Sequence, residues 1–254
     1  MAIAIVTGAS SGIGRTITKY LPRYANIDEI WVIARRENLL NELKSEVDVP
    51  IKAVPMDLKN TAAFSELKDL IGKQQKKVGV LVNCAGFGKF GLYSDIDNDS
   101  AMSMIDINCR AMVGITNTVL PFMESGARIL QVCSIASFQP LPLANVYAAS
   151  KAFVLNYSRA LSVELKPRNI TVTALCPGWV NTEFFKTATD TKNPNAVTKY
   201  PFMQSPQRVA KQALNAMKRG RMITIVGKQN KILYVLDKIL PVKLVMKIWL
   251  KTQK

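Results

Sequence analysis

The sequence predicts an α/β protein built on one doubly wound parallel sheet of about seven strands, with helices on both faces. Three observations predict it. Short β-branched runs alternate with longer helical patterns through most of the 254 residues, the order that right-handed crossovers require. The runs near residues 5, 80, 130 and 172 are almost purely apolar, as strands covered on both faces must be. The first run ends in a glycine-rich turn, Thr7-Gly8-Ala9-Ser10-Ser11-Gly12-Ile13-Gly14, which leads straight into a helical pattern.

In chain order the strands fall at Ile3–Val6, Ile30–Ala34, Ile51–Val54, Gly79–Val82, Arg128–Cys133, Ile170–Leu175 and Met222–Val226. Helices fill the intervals at Ile13–Tyr24, Glu37–Glu46, Thr61–Lys73, Ser100–Met123, Val146–Leu165 and Gln207–Lys218. There is no internal repeat, low-complexity stretch or linker, so residues 1–227 read as a single domain. Two segments break the rhythm. Gly178–Pro206 is rich in Thr, Asn and Pro with scattered aromatics, and an irregular loop of that length is usually functional, often a lid. The tail, 228–254, holds seven lysines and one acid, Asp237, for a net charge of +6.

Composition narrows the function. Lys and Arg number 34 against 18 Asp and Glu, a net charge of +16 that favours anionic ligands or surfaces. No nucleic-acid motif accompanies the lysines, which are spread along the chain, so a nucleic-acid partner is not expected. Histidine is absent, which removes the commonest metal ligand and the commonest general base. Cys84, Cys109, Cys133 and Cys176 have no CxxC spacing, so no metal site is expected. They sit in apolar runs, as buried thiols of a reducing, cytoplasmic compartment do. MAIAIVTGAS lacks a basic leader and reads as a first strand.

The glycine-rich turn allows backbone to approach a pyrophosphate resting on a helix N-terminus. Its spacing is GxxxGxG, and a purely structural turn is the plain alternative. About 20 residues on, where an acid would hold the ribose 2′-hydroxyl of NAD, the chain reads Ala34-Arg35-Arg36. Two guanidinium groups suit a 2′-phosphate, so the charge logic favours NADP(H). The alternative is that both arginines only solvate a helix start.

Tyr147 and Lys151 are spaced i, i+4 on one helical face. A phenol titrates near pH 10 in water, and a nearby ammonium would lower that value. With the turn TGASSGIG, Asn83-Cys84-Ala85-Gly86, Ser134 lying 13 residues before Tyr147, Tyr147-Ala148-Ala149-Ser150-Lys151, Asn108, and Cys176-Pro177-Gly178-Trp179-Val180-Asn181-Thr182, the chain resembles the short-chain dehydrogenase/reductase family. These motifs run in the family's order over about residues 1–182.

The resemblance implies a Rossmann-like fold and assigns roles. Tyr147 would be the acid/base and Ser134 the hydrogen-bond partner of the carbonyl oxygen. Lys151 would lower the Tyr147 pKa and hold the nicotinamide ribose. Asn108 would anchor a proton-refilling water chain. Gly8, Ser10, Ser11, Gly12, Ile13 and Gly14 would cradle the pyrophosphate, with Arg35 and Arg36 on the 2′-phosphate and Asp57 and Leu58 at the adenine. Asn83, Ala85, Gly86, Pro177, Gly178, Val180 and Thr182 would complete the cofactor site.

The family frames its substrate with loops that here supply Phe87, Phe138, Leu141, Trp179, Phe184, Phe185 and Phe202. Few charges lie among them, so a small apolar ketone, aldehyde or 3-oxoacyl substrate is expected, reduced with NADPH. The alternative is a catalytically silent NADP(H)-binding regulator. A homodimer or homotetramer is implied by the resemblance. After Pro241, lysines at 243, 247, 251 and 254 share one helical face, and Leu240, Leu244, Ile248, Val245 and Trp249 lie on the other side. Such a helix suits peripheral contact with an anionic membrane. Covering a partner subunit or its own domain is the equal alternative.

Overall fold

The computed structural model describes residues 2–253. Seven parallel strands form one sheet in the order β3-β2-β1-β4-β5-β6-β7. They are β1 Ala2–Thr7, β2 Glu29–Ala34, β3 Ile51–Pro55, β4 Lys77–Asn83, β5 Met123–Val132, β6 Thr171–Cys176 and β7 Ile223–Ile225. The helices are α1 Gly12–Tyr20, α2 Glu37–Glu42, α3 Ala62–Lys73, α4 Asn98–Ile105, α5 Met112–Val119, α6 Asn145–Glu164, α7 Phe184–Ala188, α8 Pro206–Lys218, α9 Lys228–Ile239 and α10 Val242–Gln253.

Alternating strand side chains divide the core into two layers. Ala4, Val6, Val32 and Val82 face α1 and α8 through Ile17, Val209 and Leu214. Ile3, Ile5, Ile33 and Leu81 face α3, α5 and α6 through Leu67, Ile115 and Leu161. Strand order reverses between β1 and β4, which opens a crevice at their carboxyl ends. Thr7 Oγ1 closes its floor by accepting from Cys84 N at 3.1 Å and Ala85 N at 3.2 Å.

Three elements differ from the sequence expectation. The helix expected over Ser100–Met123 is α4 and α5 joined by a π-helical turn, Asp106–Ala111. It ends at Val119, where Leu120-Pro121-Phe122 turns the chain into β5 five residues early. Proline has no N–H to continue the helical ladder. The tail is two helices, broken at Leu240-Pro241. The long loop after β6 carries α7 and is pinned by a bridge between Val180 and Gln204.

Candidate active site

The crevice opens into a cleft of about 1060 Å³ lined by the glycine-rich turn, the ends of β2 to β6, the loop after β6 and the tail helices. Gly8 has φ +68° and already lies against β4, so a Cβ there would fall 2.7 Å from Ala85 N. A Cβ on Gly14 would fall 2.2 Å from Gly8 O. Only glycine lets β1, the turn and α1 meet this closely. Ser11 caps α1 without a side-chain hydrogen bond, so the helix's first N–H groups face the cleft unspent. That cradle fits a dinucleotide pyrophosphate.

Ser10, Ser11, Gly12, Ile13, Arg35, Arg36, Asp57, Leu58, Ala85, Gly86, Pro177, Gly178, Val180 and Thr182 all line this cleft. Arg36 is drawn toward the glycine turn, donating to Ser10 Oγ at 3.2 Å and Glu183 Oε2 at 2.9 Å. Arg35 is exposed and makes no ion pair among the described residues. Asn83 is a correction. Strand alternation turns its side chain away from the cleft, to donate to Thr116 Oγ1 at 3.0 Å.

Ser134, Tyr147 and Lys151 all line the cleft. Ser134 follows β5 and its Oγ accepts from Ala136 N at 3.1 Å. Lys151 Nζ donates to Val132 O at 2.9 Å and lies 5.9 Å from the Tyr147 ring centroid. Burial pushes the Tyr147 phenol up to about 12, and the neighbouring Ser134 hydroxyl works against that rise. The same burial lowers Lys151. The expected depression of the Tyr147 pKa is therefore absent here: low dielectric disfavours both charges.

Asn108 lies behind the cleft, fully buried, in the π-helical turn. Its Oδ1 accepts from Phe87 N at 3.1 Å, and its Nδ2 donates to Phe87 O and Ser150 Oγ, each at 2.9 Å. One side chain thus clamps the β4 loop to α6. Gly88, which sequence reasoning passed over, lets that loop cross the Tyr147 ring: a Cβ would fall 2.8 Å from Tyr147 Cδ2 and 2.9 Å from Phe184 Cζ.

Phe87, Leu141, Trp179, Phe184, Phe185 and Phe202 form the apolar wall, with buried Phe90. The Phe184 ring stands 5.5 Å from Tyr147. Phe138 is a second correction: it leaves the cleft to pack 4.5 Å from Tyr234 of α9. Lys89 is no free cation for a ligand, since it is buried and paired with Asp190 at 2.9 Å. Burial pushes Cys84 up to about 12 and raises Cys109 and Cys133. They are kept as thiols, weak nucleophiles.

The tail supplies a wall that no motif announced. Leu233, Leu236, Leu240, Val245, Ile248 and Trp249 line the cleft. Asp237 does too, and the Gln139 amide nitrogen, turned toward it, donates to Oδ1 at 2.5 Å. In the sequence the apolar side formed by Leu240, Leu244, Val245, Ile248 and Trp249 fixes a face that must be covered, by membrane, partner or its own domain, but not which of these covers it.

Residues 2–193 match the pattern of the short chain dehydrogenase family, and the chain belongs to that family. It is an oxidoreductase of the kind that uses a nucleotide cofactor. Sulfoacetaldehyde reductase 2 of Chromohalobacter salexigens is 33% identical over 189 residues, 72% of this chain and 74% of that protein. The 3-oxoacyl-[acyl-carrier-protein] reductase of Thermotoga maritima is 29% identical over 222 residues, 84% of this chain and 88% of that protein. Among solved structures, a short-chain dehydrogenase from Sphingobium yanoikuyae in complex with NADPH superposes with a TM-score of 0.79 at 25% identity, covering 94% of this chain and 93% of that one.

Proposed function

We propose that the protein uses NADPH to reduce a lipophilic ketone, aldehyde or 3-oxoacyl group to the alcohol. The observation that carries this reading is the aromatic and aliphatic wall around Tyr147, from Phe87 and Phe184 to Trp249. The two relatives named as reductases act on an aldehyde and on a 3-oxoacyl group, and both reactions reduce a carbonyl.

When bound, the dinucleotide supplies the hydride that goes to the carbonyl carbon. The Tyr147 phenol, protonated at neutral pH and pushed up further by burial, gives its proton to the carbonyl oxygen. The Ser134 hydroxyl donates a hydrogen bond to the same oxygen, where negative charge develops. Lys151, beneath the Tyr147 ring, offsets the phenolate left behind and holds the ribose hydroxyls. Asn108 fixes the Phe87 loop over Lys151 and anchors the path by which the proton returns. Arg35 and Arg36, at the end of β2, give the site its preference for a 2′-phosphate.

The test is NADPH consumption against carbonyls graded by apolar chain length, with NADH in parallel. The expected result is turnover that rises with chain length and favours NADPH. Tight NADPH binding without turnover on any carbonyl would replace this reading with the silent regulator.

A further inference from the structure

Half of the exposed large apolar side chains among the described residues lie between 232 and 250. On α9, Ile232, Val235 and Ile239 follow i, i+3, i+7 on one face and are 61%, 52% and 72% exposed. The opposite face holds the protein, through buried Asn230, through Tyr234 against Phe138, and through Asp237 in the cleft. On α10, Val245 and Trp249 face inward, which turns Lys243, Lys247 and Lys251 outward with Leu244 and Leu250 beside them.

Lys228, Lys231 and Lys238 flank the α9 face, and none of these six lysines pairs with an acid among the described residues. The single acid, Asp237, points into the cleft. The surface is thus apolar and basic at once, and it is continuous with the cleft mouth. Leu233, Leu236, Ile248 and Phe202 are both partly exposed and part of the cleft wall.

We propose that the outer face of α9 and α10 docks on an anionic lipid bilayer, with the cleft mouth turned toward it. Isoleucine and valine would enter the interface while the lysines meet lipid phosphates. A second copy of this chain fits poorly, because a symmetric contact sets six lysines against six. No described helix is long and apolar enough to cross a membrane, so the contact is peripheral. The consequence for substrate supply, that a lipophilic carbonyl would enter from the bilayer, rests on the function proposed above. The docking does not.

The test is flotation of the full chain with phosphatidylcholine vesicles, with and without phosphatidylglycerol. Flotation is expected only with phosphatidylglycerol, weakening as salt is raised. Both Lys243→Glu/Lys247→Glu/Lys251→Glu and Ile232→Asp/Val235→Asp/Ile239→Asp should lower the partition coefficient about tenfold or more. Circular dichroism and an unchanged melting temperature establish that both variants fold. No flotation at low salt, or variants that float like the parent, would overturn the proposal. A particle mass that falls in the Ile232 triple variant, without flotation of the parent, would assign the face to a second copy. Retention on polyglutamate but not on vesicles would assign it to an acidic protein. Flotation is read without turnover, so a bound but inactive protein would sink the reductase reading and leave the docking standing.

Discussion

Trp249, in the last helix, stacks on Trp179 of the loop after β6, with ring centroids 6.3 Å apart and planes 24° from parallel. Its indole N–H donates to Pro142 O, in the loop after β5, at 2.7 Å. One side chain therefore ties α10 to two loops that line the cleft. Trp179 passes the contact on to Tyr200 at 5.0 Å and to Phe90 at 5.9 Å.

Trp249→Ala should remove both a stacking partner and a hydrogen bond. A half-buried tryptophan of this kind is expected to contribute about 2–3 kcal/mol to stability. The Michaelis constant for a long-chain carbonyl should rise about tenfold, with NADPH affinity unchanged, since the ring lies on the substrate side. Melting curves and steady-state kinetics check both. An unaltered Michaelis constant would remove the tail from the substrate wall.

Tyr147→Phe keeps the ring packed against Phe184 and deletes only the proton donor. Turnover should fall by about 10²- to 10⁴-fold. NADPH affinity, measured by titration, should change little. Substantial remaining turnover would mean that another group supplies the proton.

Arg35→Asp places a carboxylate beside the expected 2′-phosphate position. The ratio of kcat/KM for NADPH over NADH should drop by about 100-fold, the loss of one charge-assisted contact plus a like-charge repulsion. Arg36 is already shared with Ser10 and Glu183, so its removal should matter less. An unchanged ratio would place the phosphate elsewhere.

Asp237 gives a pH-dependent prediction. Burial raises its carboxyl from the usual range to about 6. Because the folded value lies above the unfolded one, near 4, the proton's stabilising effect is full below about pH 4 and lost as pH rises through 6. At pH 8 the fold carries an ionised carboxylate in the apolar part of the cleft wall, offset in part by the Gln139 amide N–H. Asp237→Asn should therefore raise the melting temperature at pH 8 by about 3 °C, equivalent to roughly 1 kcal/mol after allowing for partial exposure. It should have no such effect at pH 4. A gain independent of pH would mean that the carboxylate is not the cause.

Most strands and helices up to α8 could be read from local pattern, because a strand covered on both faces shows its apolar run without reference to partners. Ser134, Tyr147 and Lys151 were legible for a related reason. Tyr147 and Lys151 share a helix, so their spacing fixes their mutual placement, and Ser134 belongs to the same ordered motif set. Asn83 and Phe138 were not legible. Each stands beside a residue that lines the cleft, Cys84 in one case and Gln139 in the other, and the side-chain direction at a strand end or in a loop depends on what packs there, Thr116 for Asn83 and Tyr234 for Phe138. The π-helical turn at Asn108 was hidden too, since a helix with one extra residue per turn keeps the same amphipathic composition.

The residues alone specified the parallel sheet, the glycine cradle, the Tyr147–Lys151 pair and the amphipathic tail, because each is written in spacing over a few turns or strands. Only the folded chain could decide that the tail turns back over the cleft. That outcome depends on contacts between residues far apart in the chain: Trp249 with Trp179 and Pro142, and Tyr234 with Phe138. Amphipathicity states that a face must be covered, and the tertiary structure selects what covers it.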